Sequence, residues 1–313
     1  MIPDNSPWQP VTAANVTWGD DGTPYCEQFQ DVYYNHLDGL TESQHVFLAG
    51  ANLPQRWQDH TQSVFCVAET GFGSGLNFLA TWQAWDAQPE PKPSLHYIGI
   101  EQRPLSPADF SIAVNQWPTL SAYANKLLAA YPGLVPGEHR LAFNNGRVCL
   151  DLWWHDAADA LTAKSSYVSD LVDAWYLDGF TPSRNQAMWQ PALFAAAASL
   201  SRPAATLATF TAAGDVRRAL AEAGFKIEKR TGFGPKRECI RGVFTGSKPS
   251  ANAEPHSPTP WDLPKKRVTK PNTALVIGAG LAGATTAAAL ANRGIEVTVI
   301  DAGSIADGAS ANP

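Results

Sequence analysis

The stretch that most constrains the fold is residues 64–77, VFCVAETGFGSGLN. Its apolar start, Val64 to Ala68, is typical of a buried parallel strand, and the segment after the glycines has helical spacing. Strand, glycine turn and helix together form the first unit of a doubly wound α/β domain. Such a turn lets a ligand approach the backbone closely at the carboxyl edge of the sheet.

The spacing of the glycines restricts the class of ligand. A dinucleotide fingerprint has the form G-x-G-x-x-G, and its third glycine allows a helix to pack closely on a strand. Here the sixth position is Leu76, and Glu69 precedes Gly71, Gly73 and Gly75 in the pattern E-x-G-x-G-x-G. This pattern is typical of S-adenosylmethionine-dependent methyltransferases of the Rossmann-like class. In the competing interpretation the turn serves packing alone.

Apolar runs alternate with helical spacings from Val64 to residue 245. This order predicts a seven-stranded, mostly parallel sheet in which the last strand is inserted antiparallel. Before it, a turn cluster at residues 20–24 lies between runs rich in Val, Tyr and Phe, which predicts a β-hairpin within residues 15–37.

Acidic residues follow three predicted strands of this sheet. Glu101 ends the second strand, where doubly wound folds place an acid that accepts hydrogen bonds from ribose hydroxyls. Asp156 either accepts the exocyclic amine of adenine or caps the helix that follows it. Asp178 ends a central strand next to Phe180, where open α/β sheets perform their chemistry. The alternative for Asp178 is a turn residue that bonds its own backbone.

Charge is distributed unevenly along the chain. Residues 213–270 carry 13 Lys and Arg against 6 Asp and Glu, whereas residues 1–212 carry 9 against 20. A basic segment on an acidic protein either binds a polyanion or forms a solvated surface. The sequence alone leaves both interpretations open.

Cysteine usage and hydropathy predict the compartment. The four cysteines are scattered and form no CxxC pair, which predicts free thiols in a reducing cytoplasm and no metal site. No apolar stretch reaches membrane-spanning length, and the first residues show no secretory signal. We therefore expect a cytoplasmic protein without a membrane partner.

A second glycine fingerprint lies near the end of the chain. Residues 246–272 are rich in proline and predict a linker. A short apolar strand then leads into the full G-x-G-x-x-G of Gly278, Gly280 and Gly283, with Asp301 after the next strand. This arrangement predicts an adenine dinucleotide site, for FAD more than for NAD. Only a βαβ unit of that domain is present, so we do not expect the piece to close its own flavin site.

Four local motifs connect these observations to a known family. They have the forms P-x-S-x-x-F-x-D-x-Y, E-x-G-F-G-x-G-L-N-F, L-D-G-F-x-P-x-x-N and G-F-G-x-K-R-E, and the first has Cys26 in place of serine here. The chain carries Pro24, Phe29, Asp31, Tyr33, Glu69, Gly71, Phe72, Gly73, Gly75, Leu76, Asn77, Phe78, Leu177, Asp178, Gly179, Phe180, Pro182, Asn185, Gly232, Phe233, Gly234, Lys236, Arg237 and Glu238 of these motifs. With the flavin fingerprint after them, they resemble the MnmC family of bifunctional tRNA 5-methylaminomethyl-2-thiouridine biosynthesis proteins.

The resemblance implies an activity and a division of the chain. Residues 1–245 would transfer a methyl group from S-adenosylmethionine to 5-aminomethyl-2-thiouridine at the tRNA wobble position, which gives 5-methylaminomethyl-2-thiouridine. Residues 273–313 would be the truncated start of a FAD-dependent oxidoreductase domain, which removes a carboxymethyl group in the full-length protein. The expected partner is tRNA, and we expect a monomer without a metal ion.

The resemblance also assigns roles to individual residues. Asp178 holds the amine during transfer, and Phe180 packs on the uracil. The residues expected to bind S-adenosylmethionine are Tyr25, Tyr33, Glu69, Gly71, Gly73, Gly75, Asn77, Glu101, Asp156 and Asp178. Those expected to bind FAD in a partial site are Gly278, Gly280, Gly283 and Asp301. Those expected to contact RNA are Lys226, Lys229, Arg230, Lys236 and Arg237.

Two other functions remain open at this point. One is methylation of a small-molecule amine, which would need no RNA and would show little dependence on salt. The other is a tRNA-docking module for the oxidoreductase, in which the S-adenosylmethionine fold performs no chemistry.

Overall fold

The protein is described by a computed structural model over residues 11–34, 38–166, 168–246 and 272–303. The chain divides into two compact units, one that contains most of the large sheet and one that holds residues 142–149 and the described segment from residue 272 onward. Each unit is described by itself below. The predicted linker, residues 246–272, lies outside the described residues except at its two ends.

Eleven strands are described before the predicted linker, and they form two sheets. Their bounds are β1 Val16–Trp18, β2 Pro24–Cys26, β3 Asp31–Val32, β4 Val64–Glu69, β5 Ser94–Ile100, β6 Gly137–Phe143, β7 Val148–Trp154, β8 Val172–Tyr176, β9 Ser201–Thr209, β10 Phe225–Thr231 and β11 Glu238–Phe244. The first three strands make a small sheet, and the other eight make the large one in the order β10-β11-β9-β8-β4-β5-β7-β6.

Helices connect most of these strands. Their bounds are α1 Gly39–Ser43, α2 Leu53–Gln58, α3 Leu76–Asp86, α4 Pro107–Val114, α5 Ser121–Ala130, α6 Ala157–Ser165, α7 Pro191–Leu200 and α8 Gly214–Glu222. A π-helical turn, Gln44–Leu48, continues directly from α1, and short 3-10 turns cover Pro118–Leu120 and Gln186–Trp189.

Strand β4 forms the centre of the core. It pairs in parallel with β5 on one side and with β8 on the other, and its residues from Phe65 to Glu69 are buried. Helix α3 follows it and buries Phe78, Trp82 and Trp85. A strand covered on both faces reads as a continuous apolar run, and this is the pattern that identified β4 in the sequence.

The parallel pairing brings the ends of several strands to one edge of the sheet. Strands β4, β5, β8 and β9 run in the same direction, so Glu69, Ile100, Tyr176 and Thr209 end at the same side. Asp178 follows β8 by two residues and therefore lies in the loop beyond that edge. The elements thus converge where doubly wound sheets bind their ligands.

The predicted fold class is confirmed, whereas the predicted count of seven strands is wrong. Strand β11 is inserted antiparallel between β9 and β10, as predicted. The eighth strand is β6, which lies at the edge beside β7. Asn144, Asn145 and Gly146 between them all have positive φ, a backbone that suits a tight turn between neighbouring strands. At the N-terminus, β3 adds a third strand to the predicted hairpin.

The second unit contains a short parallel βαβ arrangement. Strands β12 Thr273–Ile277 and β13 Glu296–Ile300 pair in parallel, and helix α9 Leu281–Ala291 connects them. The predicted strand, glycine turn and helix are therefore confirmed. Leu275 and Ile277 are 59% and 80% exposed. A two-stranded sheet of this kind buries little apolar surface by itself.

Two further features concern the apolar character of the helices and the state of the cysteines. Among the described residues, no helix combines the length and the apolar character needed to cross a membrane. None of the four cysteines, which all lie in the described residues, forms a disulfide, and Cys26, Cys66 and Cys239 are buried.

Candidate active site

A cleft of about 260 Å³ opens at the carboxyl edge of the large sheet. The strand ends of β4, β5 and β8 form its floor, and residues 26–34 of the N-terminal segment form one wall. The predicted site residues that line it are Tyr33, Gly71, Gly73, Asn77, Glu101, Asp156, Asp178, Phe180 and Lys236. Most of the predicted methyltransferase site therefore comes together in one place.

Asp178 is held in a fixed orientation in this cleft. The backbone N–H of Gly179 donates to its Oδ1 at 2.8 Å, and Nδ2 of Asn77 donates to its Oδ2 at 2.8 Å. Its own carbonyl oxygen accepts a hydrogen bond from Oγ1 of Thr70 at 2.8 Å. Burial raises the pKa of Asp178 to about 7, against the lowering effect of the Gly179 and Asn77 donors and of the Lys236 ammonium. A carboxyl with this pKa is present in both protonation states near neutral pH.

Glu69 lies beneath the cleft and not on its surface. The side chain is 1% exposed, and its oxygens accept hydrogen bonds from Nδ2 of Asn77 at 2.6 Å and from the Tyr97 hydroxyl at 2.8 Å. Burial, with Asp178 nearby, raises the pKa of Glu69 well above its usual range. The glutamate supports the floor of the site, and its predicted contact with the methyl donor stays a prediction.

The glycine turn is shaped by close backbone contacts. A Cβ on Gly71 would lie 2.9 Å from the carbonyl oxygen of Asp178 and 3.0 Å from Cα of Gly179. Gly73 has a φ of +50°, and a Cβ there would lie 3.1 Å from the Tyr33 ring. Gly75, with a φ of +72°, precedes the first residue of α3. The turn thus packs directly against the loop that carries Asp178.

Substituting Gly71 by alanine is expected to lower methyl transfer more than about tenfold and to weaken donor binding. The added Cβ forces the Asp178 backbone to move, and small displacements of a reacting group cost large factors in rate. Gly133→Ala is the matched control, since a Cβ there meets nothing within 4 Å. Steady-state methyl transfer measures both variants, and equal losses in the two would contradict the role of this contact.

Glu101 closes the other side of the glycine turn. Its Oε2 accepts a hydrogen bond from the backbone N–H of Gly73 at 3.0 Å, and its Oε1 accepts from that of Arg103 at 2.9 Å. Burial raises the pKa of Glu101 in spite of these donors. The position at the end of β5 and within the cleft supports the predicted ribose contact.

Asp156 caps a helix, which is one of the two interpretations that the sequence left open. Its Oδ1 accepts hydrogen bonds from the backbone N–H groups of Ala158 at 2.9 Å and Asp159 at 3.1 Å, which caps α6. The residue also lines the cleft. The cap explains its position, and contact with adenine stays a prediction.

An aromatic cluster forms another wall of the cleft. The rings of Phe29 and Phe180 are stacked with centroids 4.8 Å apart, and Tyr33 meets Phe180 edge to face at 5.2 Å. Trp189 donates from Nε1 to the Phe180 carbonyl oxygen at 2.9 Å. Aromatic faces of this kind are where extruded bases stack.

Residues Phe29 and Asp31 were not assigned to the site from the sequence. Asp31 accepts a hydrogen bond from the backbone N–H of Thr181 at 2.8 Å and so attaches the N-terminal segment to the Asp178 loop. Both residues belong to the first family motif, which was the available signal. Tyr25 is at the variable second position of this motif and is not part of the cleft lining: it is 36% exposed on β2, while the adjacent Cys26 lines the cavity. Its predicted cofactor contact stays a prediction.

Lys236 lies at the outer edge of the cleft, near solvent. Its ammonium lies 3.2 Å from Oε1 of Glu42 and 4.1 Å from the centroid of the Phe210 ring. The residue lies in the loop between β10 and β11, which also places Pro235 on the cleft surface. The cation therefore lies beside the mouth of the cavity that contains Asp178.

The other predicted RNA-contacting residues are spread along β10 and its loop. Lys229 pairs with Glu238 at 2.7 Å, and Arg230 donates to a backbone carbonyl oxygen. Arg237 is exposed in the same loop as Lys236. Lys226, also exposed, is near the start of β10, at the end of the strand away from the cleft.

The flavin fingerprint of the second unit has the geometry that the sequence predicts. A Cβ on Gly283 would lie 1.8 Å from the Gly278 carbonyl oxygen, so the third glycine is required for helix and turn to pack. Gly280 is the residue before α9. The carboxylate of Asp301 accepts a hydrogen bond from the backbone N–H of Ala279 at 2.6 Å, and such backbone donors lower the pKa of Asp301. The residues present therefore fit a dinucleotide turn.

Comparison with protein families agrees with both parts of this geometry. Residues 118–245 match the family described as S-adenosyl-L-methionine-dependent methyltransferase, and residues 273–313 match the FAD dependent oxidoreductase family. A solved structure, MNMC2 from Aquifex aeolicus, superposes with a TM-score of 0.57 at 18% identity and covers 77% of this chain and 74% of that one. This likeness confirms the fold of the large unit.

Curated relatives are similar over nearly the whole sequence. A tRNA 5-methylaminomethyl-2-thiouridine biosynthesis bifunctional protein MnmC from Vibrio cholerae is 44% identical over 308 residues, which are 96% of this chain and 45% of the relative. The protein of the same name from Legionella pneumophila is 41% identical over 309 residues, 95% of this chain and 46% of the relative. The chain thus spans about half the length of these relatives. These matches confirm that the chain resembles the MnmC family, with a methyltransferase segment followed by a short FAD dependent oxidoreductase segment.

Proposed function

We propose that the chain methylates the primary amine of 5-aminomethyl-2-thiouridine at the wobble position of tRNA, with S-adenosylmethionine as methyl donor. The observation that carries this proposal is Asp178, a carboxylate fixed at the end of a central strand in a cleft with a glycine turn and an aromatic wall. The names of the relatives support the choice of substrate.

The chemistry requires a neutral amine and an acceptor for its proton. S-adenosylmethionine supplies a methyl group on a positively charged sulfur, so transfer forms a C–N bond and breaks a C–S bond. Positive charge moves onto the amine nitrogen, and Asp178 stabilises that charge and takes a proton from it. Its pKa of about 7 suits proton exchange near neutral pH.

The aromatic wall provides a place for the base. We propose that the uracil ring packs on Phe180 once the wobble nucleotide leaves its stack, and that Phe29 and Tyr33 support that ring. The close backbone contact between Gly71 and Asp178 fixes the position of the methyl donor relative to the amine. Positioning of this kind accounts for a large part of the rate in bimolecular transfers.

Contacts to tRNA phosphates are proposed for the loop that contains Lys236 and Arg237. Lys236→Gln is expected to weaken tRNA binding and to reduce the slope of log affinity against log salt by about one, because one fewer counterion is released. Lys226→Gln, at the far end of β10, is the matched control and should change this slope by less than about 0.3. Filter-binding titrations over a range of salt concentrations measure both. An unchanged slope in Lys236→Gln would place the phosphate contacts elsewhere.

The second unit suggests how the longer proteins work. We propose that FAD, which supplies oxidation chemistry when bound, needs residues beyond Gly278, Gly280, Gly283 and Asp301 to complete its site. Removal of the carboxymethyl group would then need more of the protein than this chain contains.

We further propose that the methyltransferase acts as a monomer in the cytoplasm.

A comparison of acceptors tests the proposed function. Labelled S-adenosylmethionine is offered with tRNA that carries aminomethyl-thiouridine, with unmodified tRNA and with a free small amine. We expect label in the modified tRNA alone. Label in the small amine alone would overturn the choice of substrate, and donor binding without any transfer would favour a docking module.

A further inference from the structure

Asn77 lies between two carboxyl groups at the floor of the cleft. Its Nδ2 donates to Oε1 of Glu69 at 2.6 Å and to Oδ2 of Asp178 at 2.8 Å. An amide nitrogen has two hydrogens, so each carboxyl receives one of them. The two oxygens are therefore within two hydrogen-bond lengths of each other, with Glu69 buried below and Asp178 on the surface of the cleft.

The orientation of this amide is fixed from the other side. Oγ of Ser43 donates to Oδ1 of Asn77 at 2.5 Å, and Ser43 and Asn77 are 2% and 6% exposed. A rotated amide would turn its oxygen towards both carboxyl groups and lose the two hydrogen bonds that its nitrogen donates to them. Buried polar groups without partners are costly, so the amide is locked in this orientation.

We propose that Asn77 is a positioning residue for methyl transfer, which holds the Asp178 carboxylate towards the cleft and favours its ionised form. The proposal rests on the proposed function of Asp178. It gives Asn77 a role other than direct contact with the methyl donor.

The charges around Asp178 explain why such a donor matters. Glu69 on β4 and Glu42 on α1 disfavour its ionised form, while Lys236 from the β10–β11 loop favours it. Two buried carboxyl groups this close do not both ionise readily. Glu69 lies deeper, and burial raises its pKa well above its usual range. The Asn77 hydrogen bonds favour the ionised form of both carboxyl groups, and Asp178 is the one of the two that lines the cleft.

The variant Asn77→Leu tests the proposal, since leucine has a similar size and no amide. We expect the acid limb of the kcat/KM profile to move up by about one pH unit. At low pH the variant's kcat/KM is then about tenfold lower than that of the wild type, and at high pH the two are equal. A residue with a merely structural role would lower the rate equally at all pH values. Ser43→Ala, which only frees the amide, should move the limb in the same direction by a smaller amount.

A titration without tRNA separates this proposal from the proposed function. Carbon NMR of the Asp178 carboxyl should report the same upward shift in Asn77→Leu, whether or not the wild-type protein methylates tRNA. Thr81→Val is the matched control: Thr81 is one turn further along α3, is buried, and bonds the Tyr176 hydroxyl at 3.1 Å. This control should leave the pKa of Asp178 unchanged. An unmoved Asp178 titration in both Asn77→Leu and Ser43→Ala, or in Ser43→Ala if the other variant does not fold, would overturn the proposal.

Discussion

Replacing Asp178 by asparagine is expected to lower the single-turnover rate of methyl transfer about 10³-fold, while the affinity for S-adenosylmethionine changes less than about threefold. Asparagine has nearly the same size and still accepts a hydrogen bond from the Gly179 N–H. It cannot take a proton from the amine or balance the charge that develops there. Rapid-quench transfer to modified tRNA and equilibrium binding of the donor measure the two quantities. A fall in donor affinity that accounts for the whole loss would contradict the assigned role.

The same variant is also expected to change how the stability of the fold depends on pH. Burial raises the pKa of Asp178 to about 7 in the folded chain, whereas a free aspartate titrates near about 4. Its contribution to stability is therefore complete below about pH 4 and is lost as the pH rises through about 7. Asp178→Asn removes this titration, so its melting temperature should exceed that of the wild type at about pH 8, with no such gain at about pH 3. A constant difference across this range would contradict the buried environment.

Asp173→Ala is expected to lower the free energy of unfolding by about 3–5 kcal/mol, the typical effect of removing one partner from a buried ion pair. Asp173 is 3% exposed on β8, and its Oδ2 accepts a hydrogen bond from the backbone N–H of Cys66 at 2.8 Å. Its Oδ1 lies 3.5 Å from Nε of Arg202, which is 6% exposed. The substitution leaves both the amide and the guanidinium without this carboxylate in the core. Urea unfolding at pH 7 measures the change.

The matched control for Asp173 is Asp215→Ala on helix α8. Asp215 pairs with Arg218 one turn away, and both side chains are largely exposed. Solvent screens this pair, so its loss should cost about 0.5 kcal/mol or less. Similar shifts of the urea midpoint in the two variants would show that the Asp173 pair is not a buried determinant of stability.

Much of the site could be predicted because its parts are local in sequence. Three local signals each indicate the end of a strand. They are the apolar run of β4, the glycines after it, and the acid Glu101 at the end of β5. Parallel pairing then requires these ends to meet at one edge, where Asp178 also lies. The same logic predicted the βαβ turn of Gly278 to Asp301.

The rest depends on contacts between distant segments, for which periodicity gives no signal. The stacking of Phe29 on Phe180 joins residues about 150 positions apart, and the hydrogen bond from Thr181 to Asp31 does the same. The shared amide of Asn77 is of this kind too, because a motif position does not reveal which groups surround it. The count of seven strands came from the usual methyltransferase sheet, to which β6 adds an edge strand beside β7.

The most direct test of the central claim is to locate the transferred methyl group. After reaction of modified tRNA with isotopically labelled S-adenosylmethionine, the tRNA is digested to nucleosides and analysed by mass spectrometry with fragmentation. We predict label on the exocyclic amine nitrogen of the wobble thiouridine, and its loss in Asp178→Asn. Label on a ring atom, on the ribose or on another nucleoside would contradict the account.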